Sequence, residues 1–290
     1  MKERTYKELL EQGKNQLKQG EIQEYQLDAW LLLEHVFNIS KTWYFVHEME
    51  IADAGKAEQY EILIQRRKKH VPLQQITEEG YFYGMKFYVN QHVLIPRQDT
   101  EVLVEEVLKL CNNLWNQEEK HLQILDLCTG SGCILLSLLA NLKQAEGIGV
   151  DLSLEALEVA QRNGRELEIS ANWLHSDLFE QIDRSYDVIV SNPPYIKTSV
   201  IEDLMEEVRL HEPRMALDGK EDGLYFYKKI IREAKGYLNP GGILAFEIGY
   251  DQGEAVSTLM KNQGYEQIRV VQDLAGLDRC VTGIRRKNNV

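Results

Sequence analysis

Cysteine and proline are scarce in this 290-residue chain, with 4 and 6 copies. The cysteines, Cys111, Cys128, Cys133 and Cys280, are widely spread and form no C-x-x-C pair. That pattern argues against disulfides or zinc and for reduced, small buried residues in a cytosolic protein. Long apolar runs are missing too. The longest, Cys133 to Ala140, is interrupted by Ser137 and is far too short to span a bilayer. The start, Met1-Lys2-Glu3-Arg4-Thr5, lacks an apolar core, so no signal peptide is expected. Positive charge is in deficit: 33 Lys and Arg against 46 Asp and Glu give a net charge of −13. A protein that grips duplex through many phosphates carries the opposite balance. One basic run, Arg66-Arg67-Lys68-Lys69-His70, ends a predicted helix and reads as solvated charge facing the helix dipole. These absences lead us to expect a soluble, cytoplasmic protein with no DNA or membrane partner; a monomer is the working expectation, although the sequence does not give the oligomeric state.

Two of the few prolines stand together in Asn192-Pro193-Pro194-Tyr195. The tetrapeptide follows Tyr186-Asp187-Val188-Ile189-Val190, an apolar run that reads as a buried strand. Prolines cannot donate ladder hydrogen bonds, so the strand must stop there. A residue before proline is pushed to extended geometry, which makes Asn192 and Pro193 parts of a stiff loop. The Asn192 side-chain oxygen and the Pro193 carbonyl are then fixed acceptors with an aromatic plane, Tyr195, beside them. Such a loop suits a planar group carrying an NH2. The plainer reading is a proline turn that only ends a strand.

The first ~70 residues read as helical. Leu9, Leu10 and Leu17, then Leu27, Trp30, Leu31 and His35, recur at helical spacing, Thr5 is a candidate cap, and a third helix is predicted from Lys56 to Lys69. Tyr81 to Val89 alternates aromatic residues around Gly84, as a β-hairpin linker does. From about Leu103 short apolar strands alternate with amphipathic helices. Strands are predicted at Gln123–Leu127, Gly147–Val150, Asn172–His175, Asp187–Ser191, Ile243–Glu247, Gln267–Val271 and Arg279–Ile284. The alternation implies an α/β fold with a mostly parallel, doubly wound sheet of seven strands. Ligands in such sheets bind beyond the carboxyl ends of the strands, where the motifs below fall. The expected division is a helical recognition domain at 1–75, the hairpin linker at 76–95 and a catalytic domain at 96–290.

After the strand ending Asp126-Leu127 comes Cys128-Thr129-Gly130-Ser131-Gly132 and then a helix. Glycines at such a turn let backbone approach a ligand closely. A dinucleotide fingerprint needs a third glycine where Leu135 stands, and no Lys-Ser or Lys-Thr follows for a P-loop. What remains is an adenosine-like ligand without a pyrophosphate. Asp151 closes the next strand, where an acid accepts both ribose hydroxyls, although it also suits the start of a helix. Ser176-Asp177-Leu178 follows the third strand; Asp177 is a candidate for the adenine amine and Leu178 for the ring. The combination fits S-adenosyl-L-methionine, with Asp126 placed to hold its cationic amino-acid end.

In order, these motifs resemble class I S-adenosylmethionine methyltransferases that act on amino or amide nitrogen. The sharper resemblance is to the HemK/PrmC family of peptide chain release factor glutamine N5-methyltransferases. It rests on Asn192–Tyr195, Ile95-Pro96-Arg97-Gln98-Asp99-Thr100-Glu101, Leu210-His211-Glu212-Pro213, Phe246-Glu247-Ile248-Gly249 and Asp273-Leu274-Ala275-Gly276 with Arg279. It covers nearly the whole chain and makes the N-terminal part similar to the family's substrate-binding domain. Members usually carry proline at Gln98 and often glycine at Cys128 and Glu78. Arg97, Asp99 and Glu101 read equally well as a loop-to-helix junction with acids in the first turn. The resemblance implies methyl transfer from S-adenosylmethionine, leaving S-adenosyl-L-homocysteine, to the Gly-Gly-Gln glutamine of class I release factors.

An amide nitrogen is a poor nucleophile because its lone pair is delocalised into the carbonyl, the origin of the ~18–20 kcal/mol rotation barrier. Two acceptors, Asn192 Oδ1 and the Pro193 carbonyl, would orient the nitrogen and strengthen as positive charge develops on it. Tyr195 would pack against the amide plane and exclude water, with Pro194 beside it on the substrate side. No strong base is needed, and no histidine has a metal spacing; His175 and His211 read as loop structure. Competing readings are a glutamine methyltransferase of a ribosomal protein, a nucleic-acid exocyclic-amine methyltransferase, or a binder that has lost catalysis.

Overall fold

The computed structural model describes residues 3–116 and 120–286. Its first helix starts where local chemistry dictates. Thr5 Oγ1 accepts from the Glu8 amide at 3.2 Å, and the Glu8 carboxylate accepts from the Thr5 amide at 2.9 Å. This reciprocal capping box satisfies two otherwise orphaned donors. It opens α1 (Tyr6–Gln19), followed by α2 (Tyr25–Phe37), α3 (Lys41–His47), α4 (Ala54–Lys68) and α5 (Leu73–Thr77). Leu9, Leu10 and Leu17 are buried as their spacing predicts. The second stripe holds in part: Trp30 is buried and Leu31 packs against the same core, but Leu27 is 46% exposed and His35 is exposed, while Ala29, Leu32, Leu33, Val36 and Phe37 face the core. The α2 sequence is apolar nearly all round, so periodicity does not settle its phase. α3 and α5 have 7 and 5 residues, too short for a periodic signal.

The basic run is also corrected. Arg67 is only 5% exposed; it donates to Asp28 at 2.6 Å and Glu207 at 2.5 Å. Glu207 belongs to Met205–His211, which clusters with the residues up to Glu79 as one unit rather than with its sequence neighbours. Gln75 Nε2 donates to the His211 carbonyl at 2.9 Å, and His211 Nε2 to the Lys69 carbonyl at 3.0 Å, within that same unit.

The other unit spans Gly80–Leu204 and Glu212–Val290. The hairpin β1 (Glu79–Phe82) and β2 (Met85–Tyr88) turns on Tyr83 and Gly84, with φ of 50° and 74°. Two left-handed central residues match the twist of the flanking strands. Then follow α6 (Glu101–Leu114), β3 (Leu122–Leu127), α7 (Cys133–Asn141), β4 (Ala145–Asp151), α8 (Leu154–Glu166), β5 (Asn172–His175) and β6 (Tyr186–Ser191). The chain continues through α9 (Glu206–His211), α10 (Arg214–Leu217), α11 (Tyr225–Tyr237), β7 (Leu238–Glu247), α12 (Gly253–Asn262), β8 (Tyr265–Gln272) and β9 (Asp278–Arg285).

The seven-stranded sheet has the order β5-β4-β3-β6-β7-β9-β8, parallel except where β9 pairs with β7 and β8. Its strands bury both faces. Ile124, Val188, Val190, Ile243 and Ala245 pack with α6, α7 and α8, while Leu125, Leu127, Ile189, Leu244 and Phe246 pack with α11 and α12. Continuous apolar runs in parallel strands reflect this double covering. β7 begins five residues before its predicted start. Tyr186 pairs with Leu238 and Val188 with Ile243, so an irregularity absorbs Asn239-Pro240-Gly241-Gly242, whose composition reads as a turn. β3 lies between β4 and β6, so the strand order reverses there and the loops after β3 and β6 open side by side.

Candidate active site

The loop after β3 is left-handed at three positions: Cys128, Gly130 and Gly132 have φ of 59°, 54° and 78°. At Gly132 an added Cβ would lie 2.7 Å from the Trp173 ring, so only glycine fits. Cys128 occupies its position without that freedom, at a cost of about 1–2 kcal/mol. Gly130 donates its amide to Asp151 Oδ2 at 2.9 Å, and Ser153 donates its amide to Asp151 Oδ1 at 2.9 Å. Ser153 also caps α8, its hydroxyl accepting from the Ala156 amide at 3.1 Å. Asp151 thus ties the glycine loop to the start of α8 while bordering the cavity; burial raises its pKa.

Asp126 sits beneath this loop. Its Oδ2 accepts from the Thr129 hydroxyl at 2.6 Å, whereas Oδ1, also buried, makes no hydrogen bond among the described residues. Burial pushes the carboxyl up to about 7, with the Thr129 bond opposing. At the third loop Leu178 is left-handed with φ of 54° and buried, and Asp177 Oδ2 accepts from Lys229 Nζ at 3.1 Å.

The Asn192 loop begins where Ser191 Oγ donates to the Leu127 carbonyl at 2.7 Å, joining the ends of β6 and β3. Farther on, Ile196 donates to the Leu217 carbonyl at 3.0 Å and Gly219 to the Ile196 carbonyl at 2.8 Å. A Cβ on Gly219 would stand 2.7 Å from Tyr195 backbone, and one on Gly223 would stand 2.5 Å from the Tyr195 carbonyl oxygen. That oxygen accepts from Gln252 Nε2 at 3.1 Å, while Gln252 Oε1 accepts from the Gly249 amide at 2.9 Å. Tyr195 Oη donates to Glu247 Oε1 at 3.3 Å. Burial and the Glu247 charge raise the Tyr195 pKa, so it is a neutral phenol.

One cavity of about 240 Å³ joins these parts. Cys128, Thr129, Gly130 and Ser131 border it, as do Asp151, Asp177, Leu178, Asn192 and Pro194. Asp126, Gly132, Pro193 and Tyr195 do not line it; Asp126 lies below the floor and Tyr195 packs partly into the sheet core. The sequence reading missed Gly219, Gly223 and Gln252. The two glycines were visible as Gly-Lys-Glu-Asp-Gly, but a solitary glutamine carries no local signal. Arg97 pairs with Glu212 at 2.5 Å, Asp99 with Arg279 at 3.3 Å, and Glu101 accepts from the Tyr83 amide at 2.8 Å. Those three side chains thus anchor the loop before α6. His175 Nε2 donates to the Leu152 carbonyl at 3.0 Å, a structural bond.

Comparison with known proteins identifies the family. The PrmC N-terminal domain model matches residues 8–77 and the methyltransferase small domain model matches residues 100–273. A release factor glutamine methyltransferase of Caulobacter vibrioides is 40% identical over 276 residues, covering 94% of each chain. One from Thermodesulfovibrio yellowstonii is 41% identical, covering 88% of this chain and 90% of its own. Among solved structures, a methyltransferase from Pyrococcus furiosus is similar in fold, with a TM-score of 0.51 and 14% identity over 79% of this chain and 98% of that one. With both domain models matched in order and such identity along nearly its whole length, the chain belongs to the release factor glutamine methyltransferase family.

Proposed function

We propose that the chain transfers a methyl group from S-adenosyl-L-methionine to the side-chain amide nitrogen of the glutamine in the Gly-Gly-Gln motif of peptide chain release factors, releasing S-adenosyl-L-homocysteine. The observation that carries this reading is the single cavity bordered by both the Gly130 loop and Asn192. The residues present fit the cofactor. Gly130 meets no atom within 4 Å at the Cβ position, which leaves room for a ligand against the backbone. Asp151 suits the ribose hydroxyls, Asp177 the adenine amine and Leu178 the ring. Asp126, beneath the Gly130 loop and with an Oδ1 that makes no hydrogen bond among the described residues, is the acid for the cationic amino-acid end.

When bound, the sulfonium supplies an electrophilic methyl. The work of the chain is to orient the acceptor. Asn192 Oδ1 and the Pro193 carbonyl take one N–H each, setting the nitrogen toward the methyl. Both bonds strengthen as the nitrogen becomes cationic, which lowers the barrier more than it tightens binding. The proton then leaves to solvent. Tyr195, held from behind by Glu247 and Gln252, keeps the loop in place.

The test is incubation with labelled S-adenosylmethionine and purified release factors, with and without the motif glutamine replaced. Label only on the unreplaced factor is expected. Label on the glutamine-replaced factor, on a ribosomal protein instead, or only on DNA would refute the reading.

A further inference from the structure

Segments distant in sequence come together around Glu247: Thr100 and Tyr195 beside its carboxylate, and Arg279 close enough for its charge to act on it. Glu247 ends β7 and is 3% exposed. Its Oε1 accepts from Tyr195 Oη at 3.3 Å, and its main-chain carbonyl accepts from Tyr227 Oη at 2.8 Å. Oε2 is buried and makes no hydrogen bond among the described residues. The Arg279 guanidinium, whose charge acts on both Glu247 and Tyr195, is held by Asp273 at 3.0 Å and Asp99 at 3.3 Å. Thr100, buried beside the carboxylate, borders the cavity.

Burying a carboxylate is costly unless it does something a smaller apolar residue cannot. The sheet core around it is otherwise apolar: Phe246, Ile248 and Val281 are all fully buried. One group that bonds the Glu247 side chain is the phenol of the loop that carries Asn192; Thr100 is a second neighbour that acts on the same carboxylate. Resting on the methyl-transfer reading above, we propose that Glu247 is a positioning residue for the reaction. It anchors Tyr195, and through Tyr195 it fixes the direction of the Asn192 and Pro193 acceptors. It touches neither substrate nor cofactor and so acts on the rate, not on cofactor affinity.

The test is a double-mutant cycle on the full chain with a release factor as substrate. Glu247→Leu and Tyr195→Phe are each expected to lower kcat by about tenfold or more, with the S-adenosylmethionine dissociation constant within about twofold of wild type. Glu247→Gln keeps an acceptor for the phenol and is expected to retain kcat within about threefold. The double variant Tyr195→Phe/Glu247→Leu is expected to be no slower than the poorer single variant, within about twofold. Losses that multiply, a Gln variant as slow as the Leu variant, or cofactor affinity that falls with kcat would each overturn the proposal. If Glu247→Leu does not fold, Tyr195→Phe decides, since full activity in that variant overturns it. Absence of transfer by the wild-type protein would instead overturn the functional reading.

Discussion

At the scale of single residues, Asn192 is the position expected to separate rate from binding. The residue precedes a proline and borders the cavity with the glycine loop. Asn192→Ala is expected to lower the methylation rate by about 100-fold or more while changing cofactor affinity by about threefold at most. Rate measurements at saturating cofactor beside calorimetric titration distinguish this from equal losses, which would assign Asn192 to the cofactor alone. Glu78 offers a residue-scale test of strain. It ends α5 with φ of 58° and its side chain is exposed. Glu78→Gly removes the left-handed penalty but adds freedom to the unfolded chain, for a net gain of about 0.5–1 kcal/mol. A urea melt showing a loss would contradict that balance. The departures from glycine at Cys128 and Glu78 were legible in the sequence; that both backbones are left-handed was not, because φ at an isolated residue leaves no pattern.

Among elements, α4 shows how far periodicity reaches and where it stops. Its existence was predicted from Lys56 to Lys69 and it runs Ala54–Lys68, but its last turn does not face solvent throughout. Arg66 is exposed, whereas Arg67 is buried against Asp28 and Glu207. Arg67→Met should therefore destabilise the helical unit by about 3 kcal/mol or more, since it leaves Asp28 buried without its cation. Arg66→Met should change stability by no more than about 0.5 kcal/mol. Equal effects in chemical denaturation would mean that Arg67 is no anchor. Neighbouring arginines look alike in a sequence, and only the partners brought in from α2 and from Met205–His211 tell them apart. The strands of the sheet were far more legible. A parallel strand covered on both faces must be an apolar run, and the sequence of β6 says so without reference to its neighbours.

For the whole molecule, buried acids set the response to pH. Burial pushes Asp126 and Glu247 up to about 7 from ordinary values of 3.8 and 4.5. Across that interval the folded chain binds more protons than the unfolded one, so stability falls as pH rises toward 7. The acids whose pKa is lowered, such as Glu61, Asp218 and Asp273, complete their titration below that interval and do not offset it above pH 5. Melting of the ligand-free protein is therefore expected to move up by several degrees between about pH 7.5 and 5.5. The shift should shrink in the variant Asp126→Asn/Glu247→Gln. A melting point that drops over this range would show that these carboxyls are ionised in the folded state.

The sequence by itself determined what depends on local steric and hydrophobic rules. These are the strand-and-helix alternation, the helix cap at Thr5, the glycine turn after β3 and the proline-stopped loop at Asn192. Such features are written in neighbouring residues, because backbone sterics and burial period act over a few positions. Only the tertiary structure decided which distant groups serve that loop. Glu247 under Tyr195, Gln252 on its carbonyl, Gly219 and Gly223 against its backbone, and Arg67 buried rather than solvated are contacts across tens of residues. They are set by strand order and packing, which no single stretch of chain encodes.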